Sequence, residues 1–100
     1  LIVEGSNIPT TSEVEEYMHK KGILVVPDFV ANAGGVISSY VEYIKGNEKR
    51  MFKMVEEKIT RNTRIVLNIA KKQKIKPRDA AMRLAQERVL KKCKVCNVKI

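Results

Sequence analysis

A β-branched run, Ile23-Leu24-Val25-Val26, stands directly before Pro27 and a segment that turns amphipathic within a few residues. No other feature limits the possible folds of this chain so tightly. A short continuous apolar run reads as a strand buried on both faces, as in parallel sheets. The segment after it, up to the stop at Gly46, reads as a helix from about Asn32 to Lys45. Near the start of that helix lie Asn32, Gly34 and Gly35. Open α/β sheets take their ligands at the carboxyl ends of strands, where a new helix begins. Glycines there lack a Cβ and let a ligand approach the backbone, and a helix start offers free N–H groups. Asn32, Val36 and Ser39 fall at i, i+4 and i+7, on one face of the expected helix, with Ser38 turned roughly 100° away. An amide, an apolar side chain and a hydroxyl on one face suit a pocket wall. The same residues would also serve a plain strand, turn and packed helix, because paired glycines alone are a weak signal.

The flanking sequence supplies the rest of an α/β unit. Leu1–Val3 reads as a first strand and Glu4-Gly5-Ser6-Asn7 as the loop at its carboxyl end. Thr10, Thr11 or Ser12 can cap the helix that follows, and Gly22 suits its C′ position. Val14, Tyr17 and Met18 form its expected buried stripe, with Glu15, Glu16, Lys20 and Lys21 outside. Joining two strands through a helix makes them parallel. Asn7 and Asn32 then share one edge of the sheet, although an isolated loop Asn often just closes an Asx turn. Downstream, a long helix is expected from about Glu48 to Gln73, with Phe52, Val55, Ile59, Val66 and Ile69 as its stripe and Asn62 interrupting it. Pro77 opens a last helix at N1, with a ridge of Ala81, Ala85, Val89 and Cys93. The expectation is two parallel strands and about four helices, the last two long.

Composition narrows the functional classes. A chain that is 44% apolar and 31% charged can bury a core and is not disordered by composition. No apolar run is long enough to span a bilayer. The net charge of +9 invites a nucleic-acid reading, but the basic residues are interleaved with Glu48, Glu56, Glu57 and Glu87 around the helices. That distribution is a solvated helix face, and no nucleic-acid-binding signature accompanies it. Cys93 and Cys96 form one CxxC with no further soft ligands nearby, so we expect no metal and two reduced thiols. The chain opens on Leu1 without an initiator Met, which suggests a piece of a longer protein. Such a piece should expose a strand edge at Leu1–Val3 and self-associate through it.

Three strings, in order and covering nearly the whole chain, resemble one family. Glu4-Gly5-Ser6-Asn7-Ile8-Pro9-Thr10-Thr11 resembles the cofactor-side loop of glutamate dehydrogenases. Asn32-Ala33-Gly34-Gly35-Val36, followed by Ser39-Tyr40-Val41-Glu42, resembles their substrate-pocket helix, and Arg78 to Val89 resembles their C-terminal helix. The resemblance implies interconversion of L-glutamate with 2-oxoglutarate and ammonia, using NAD or NADP. It implies a cytoplasmic homo-oligomer, a hexamer, with a separate N-terminal substrate domain that bears the catalytic Lys and Asp. Residues 1–46 would then be the C-terminal portion of a Rossmann-like NAD(P)-binding domain, and residues 47–100 a helical segment of the same domain. Cofactor binding would fall to Gly5, Ser6, Asn7 and Asn32, and substrate binding to Val36 and Ser39, with no catalytic residue in this stretch, which alone is expected to be inactive. Ser6 stands where the family usually has Ala, and Ser38 where it usually has Val. A leucine, phenylalanine or valine dehydrogenase would share the Asn-Ala-Gly-Gly string but usually carries an Asn-Gln-Leu type string in place of Pro9-Thr10-Thr11. It would also lack the serine matching Ser39. Outside the enzymes, the rival is a basic helical nucleic-acid-binding module, whose affinity would fall steeply with salt.

Overall fold

The computed structural model describes residues 1–93 and 95. In chain order the elements are β1 (Ile2–Val3), α1 (Ser12–Lys20), β2 (Val25–Val26), α2 (Asp28–Ala31), α3 (Gly34–Tyr43), α4 (Glu48–Gln73) and α5 (Pro77–Lys92). The strands are parallel, with Ile2 opposite Val25 and Val3 opposite Val26. Two backbone bonds flank this pairing, from the Ile2 N–H to the Leu24 carbonyl at 2.8 Å and from the Glu4 N–H to the Val26 carbonyl at 3.2 Å. Both strands therefore end at one edge, where the loop after Val3 lies beside the start of α2.

Local chemistry sets most boundaries. The Thr11 hydroxyl caps α1 by accepting from the Val14 N–H, which settles the three-way choice at that end. At the other end Gly22 takes φ +76, with its N–H on the His19 carbonyl and the Ile23 N–H on Met18. That is a Schellman closure with glycine at C′. Asn47 caps α4 through the Arg50 N–H at 2.8 Å, and Pro77 occupies the first turn of α5.

The helix expected from about Asn32 to Lys45 is present as α3, and a short helix that the sequence reading did not include, α2, precedes it. Asn32 is the C-cap of α2, and α3 begins only at Gly34. Pro27 starts the first of them early by fixing φ near −66 just beyond β2. The expected end at Gly46 also has a different cause. Lys45 takes the left-handed conformation, φ 59, while Gly46 is needed for closeness. A Cβ on Gly46 would lie 2.6 Å from Val41 Cγ1, and Val41 is fully buried.

The core joins Val26, Val30, Val66, Ala70, Ala80 and Ala81, with Ala31, Ile69, Ile75 and Leu84 packed around them. Its alanines let α5 approach α4 and β2 closely. Asn62 interrupts the α4 stripe because its carbonyl accepts from Arg88 Nη1 of α5 at 2.9 Å. The α1 stripe differs from expectation. Met18 is buried, but Val14 and Tyr17 are exposed and Glu15 is buried in their place. Phe52 of α4 is likewise exposed. Cys93 is disulfide-bonded, which corrects its reading as a reduced thiol, and Cys96 lies outside the described residues. Among the described residues, no helix is long and apolar enough to cross a membrane, and no group of His, Cys, Asp and Glu could hold a metal ion.

Candidate functional site

At the carboxyl edge of the two strands, Asn32 Nδ2 donates to Asn7 Oδ1 at 2.8 Å. These residues are 25 apart in sequence, and the parallel pairing of β1 and β2 brings them together. The bond uses one amide donor and one amide acceptor. Asn7 Nδ2, with both its N–H groups, and Asn32 Oδ1 remain as donor and acceptor for a ligand. Beside them Gly5 has nothing within 4 Å of a would-be Cβ, and Ser6 is exposed. Along α3, Val36 is 76% exposed and Ser39 is exposed on the following turn. Gly35 also faces open space, whereas Gly34 faces Val55 and Ile59 of α4. The two glycines thus serve different neighbours.

The two serines share one acceptor. Ser38 Oγ donates to the Gly35 carbonyl at 2.8 Å and Ser39 Oγ to the same oxygen at 3.1 Å. Ser38 is half-buried and Ser39 exposed, so Ser39 has the hydroxyl more open to a ligand.

Behind the amide pair lies a charged cluster that the sequence patterning did not reveal. Glu4, Glu15 and Asp28 are all buried, and all three meet the Arg78 guanidinium. Nε donates to Glu15 Oε2 at 2.6 Å, while Nη2 donates to Glu4 Oε1 at 3.1 Å and Asp28 Oδ1 at 2.9 Å. The remaining carboxylate lone pairs hold the backbone and the loop. Glu4 Oε1 accepts from the Asp28 N–H at 3.2 Å and Glu4 Oε2 from the Thr10 hydroxyl at 3.3 Å. Asp28 Oδ2 accepts from the Ile8 N–H at 2.9 Å.

Burial is the largest single influence on the Asp28 carboxyl and pushes its pKa up, but the Ile8 amide, Arg78 and the Phe29 amide together outweigh it and hold the group below its ordinary 3.8. Arg78 is disfavoured as a cation by burial, yet Glu15 and Asp28 hold it charged. Its guanidinium also lies 5.6 Å from the centre of the Phe29 ring. Ile8 itself sits at φ 46, a left-handed conformation costing a β-branched residue about 1–2 kcal/mol. Since Ile8 is 82% exposed, packing does not hold it there, and the Asp28 bond does.

A separate cavity of about 420 Å³ lies between α1 and α4, lined by His19, Ile23, Leu24, Leu67 and Lys71 among others. Ile23 and Leu24 precede β2, so this hollow is at the opposite end of the strands from the amide pair. Its lining is mainly apolar and lacks the convergent donors and acceptors found at the carboxyl edge.

The sequence model of the Glutamate/Leucine/Phenylalanine/Valine dehydrogenases matches residues 1–95. The chain belongs to that family. It is 40% identical to the glutamate dehydrogenase of Aeropyrum pernix, aligned over 95% of this chain and 25% of the relative. It is 38% identical to the NADP(+)-dependent glutamate dehydrogenase of Pyrobaculum calidifontis, over 89% of this chain and 23% of the relative. Among solved structures, L-tryptophan dehydrogenase from Nostoc punctiforme superposes with a TM-score of 0.74 at 39% identity, covering 82% of this chain and 24% of that one. The chain thus spans about a quarter of the length of these dehydrogenases. As a family member it carries the Asn7 and Asn32 strings at one edge of an α/β unit with two parallel strands.

Proposed function

We propose that this chain is the part of an NAD(P)-dependent glutamate dehydrogenase that closes one side of the site where cofactor and substrate meet. The observation that carries the reading is the Asn7–Asn32 bond at 2.8 Å on the carboxyl edge of the strands, with exposed Val36 and Ser39 next along the chain. The residual donor and acceptor of the amide pair suit the ribose hydroxyls and the carboxamide of a nicotinamide nucleotide. When bound, that nucleotide accepts or returns a hydride. The protein's part here is to bind and orient it. Gly5 and Ser6 leave room for it beside Asn7. Val36 would lie along the carbon chain of glutamate and Ser39 would donate to its distal carboxylate. Residues 1–46 belong, on this reading, to a Rossmann-like domain and residues 47–100 to its helical segment. The whole protein is a homo-oligomer with a separate substrate domain, and residues 1–100 alone carry no turnover.

A second reading, an aromatic amino-acid dehydrogenase, is favoured by the likeness to the tryptophan enzyme. Pro9-Thr10-Thr11 and the hydroxyl of Ser39 favour glutamate. Initial rates of NAD(P)H formation at 340 nm by the full-length protein decide between them. We expect turnover with L-glutamate, and weak or none with L-tryptophan and L-leucine. A preference for tryptophan would establish the second reading, and absence of turnover with every amino acid would overturn both.

A further inference from the structure

We infer that Arg78, far from Asn7 and Asn32 in sequence, is a positioning residue that sets this pair for the nicotinamide nucleotide. The inference rests on the function proposed above and deepens it. Two chains of bonds run from the guanidinium to the site. One passes through Asp28, whose Oδ1 accepts from Arg78 at 2.9 Å and whose Oδ2 accepts from the Ile8 N–H at 2.9 Å, next to Asn7. The same residue's backbone carbonyl accepts from the Asn32 N–H at 2.7 Å. Asp28 therefore holds the loop next to Asn7 with its side chain and opens α2, the helix that ends at Asn32. The other chain passes through Glu4, which takes Arg78, the Asp28 N–H and the Thr10 hydroxyl. The loop between Glu4 and Thr10 is pinned at both ends and in its middle. Ile8 shows what the pinning achieves, because an exposed isoleucine stays at φ 46.

Glu15 gives the built-in control. It meets the same guanidinium at 2.6 Å and is just as buried, but among the described residues its carboxylate makes no hydrogen bond to the loop or to α2. A cluster that merely stabilised the fold would respond alike to loss of Glu15 or Asp28. A positioning cluster would not.

The test uses the full-length protein with Arg78→Lys, Asp28→Asn and Glu15→Gln. Three quantities are read: NADPH and NADH affinity by fluorescence, kcat against amino-acid KM at saturating cofactor, and deuterium exchange of the 4–11 segment by mass spectrometry. Lysine cannot reproduce the planar fork that reaches three carboxylates. Arg78→Lys and Asp28→Asn should each weaken nucleotide binding about tenfold, the loss of one charge-assisted bond's worth of order. Both should speed exchange in the 4–11 segment, with kcat and amino-acid KM changed less than about twofold. Glu15→Gln should leave nucleotide affinity and exchange unchanged, whatever it does to the melting temperature. Equal weakening by Glu15→Gln and Asp28→Asn would overturn the inference, as would unchanged affinity in Asp28→Asn. If Arg78→Lys does not fold, the Asp28 and Glu15 pair still decides. If the wild-type protein binds neither nucleotide, the proposed function fails, and the exchange comparison still shows whether Arg78 sets the loop. Unchanged exchange in both Arg78→Lys and Asp28→Asn would overturn the inference by itself.

Discussion

Ser39→Ala in the full-length protein is the sharpest test of how α3 meets an amino acid. In the free state the Ser39 hydroxyl donates to the Gly35 carbonyl at 3.1 Å, and the same oxygen takes the Ser38 hydroxyl at 2.8 Å. When Ser39 turns to a substrate carboxylate, Gly35 keeps its shorter bond and no buried acceptor is left alone. The exchange gives up a neutral bond worth about 0.5–1.5 kcal/mol for one to a charged group worth about 1.5–3 kcal/mol. The net is about 1–2 kcal/mol, or roughly fivefold to thirtyfold in kcat/KM for glutamate. Alanine is a better helix former than serine, so the melting temperature should hold or rise, and a loss of rate is not a loss of fold. Norvaline, which lacks the distal carboxylate, is the companion substrate. Its kcat/KM should be unchanged, so that the glutamate-to-norvaline ratio falls by the full factor. Ser38→Ala should change either substrate by less than about twofold. A larger loss in Ser38→Ala, or an equal loss on glutamate and norvaline in Ser39→Ala, would show that the Ser39 hydroxyl does not meet the carboxylate.

Gly46→Ala should destabilise the chain by about 1–3 kcal/mol, because the new Cβ would sit 2.6 Å from Val41 Cγ1 in a site with no room to yield. Urea denaturation reads the change, and a loss below about 0.5 kcal/mol would show that the turn relaxes freely. Acid should act through Asp28, whose pKa is held down in the fold. A depressed carboxylate contributes stability that is present above its unfolded value, 3.8, and is lost as the pH falls below it. Asp28→Asn should therefore flatten the decline of stability with falling pH in that range, followed by circular dichroism. An unchanged slope would remove Asp28 from the acid transition.

How much of this was legible in the sequence depended on the range of the interaction. Thr11, Gly22, Asn47 and Pro77 act within their own turn of helix, and α4 runs over Glu48–Gln73 as its periodicity predicted. The shared edge of Asn7 and Asn32 followed from the strand–helix–strand order, since that order makes the strands parallel. The short helix α2 was missed because four residues, Asp28–Ala31, are too few to show a helical period. Glu15 was misplaced for a deeper reason. Amphipathic patterning assigns a glutamate to solvent, and only a partner 63 residues away reverses that assignment. Phe52, Val14 and Tyr17 failed in the opposite sense, as apolar side chains that this stretch of chain leaves uncovered. One signal for the cluster was present. Asp28 and Glu4 sit at the two strand ends that a parallel pair must bring together, and two carboxylates in one place require a cation.

The distance between Arg78 and its partners also sets an order of events during synthesis. The guanidinium lies 74 residues after Glu4 and 50 after Asp28. At about 5–20 residues per second, translation delivers it roughly 4–15 seconds after Glu4. Until then, three carboxylates would have to be desolvated with no cation to meet them, which costs several kcal/mol for each ion. The Glu4–Asp28 region is therefore expected to stay hydrated and open until α5 arrives, and pairing with Arg78 then favours closing of the loop. A nascent chain halted before Arg78 should remain open to proteases between Glu4 and Asp28, and release of a few more residues should protect it. Arg78 of α5 thus completes a loop whose synthesis began 74 residues before it.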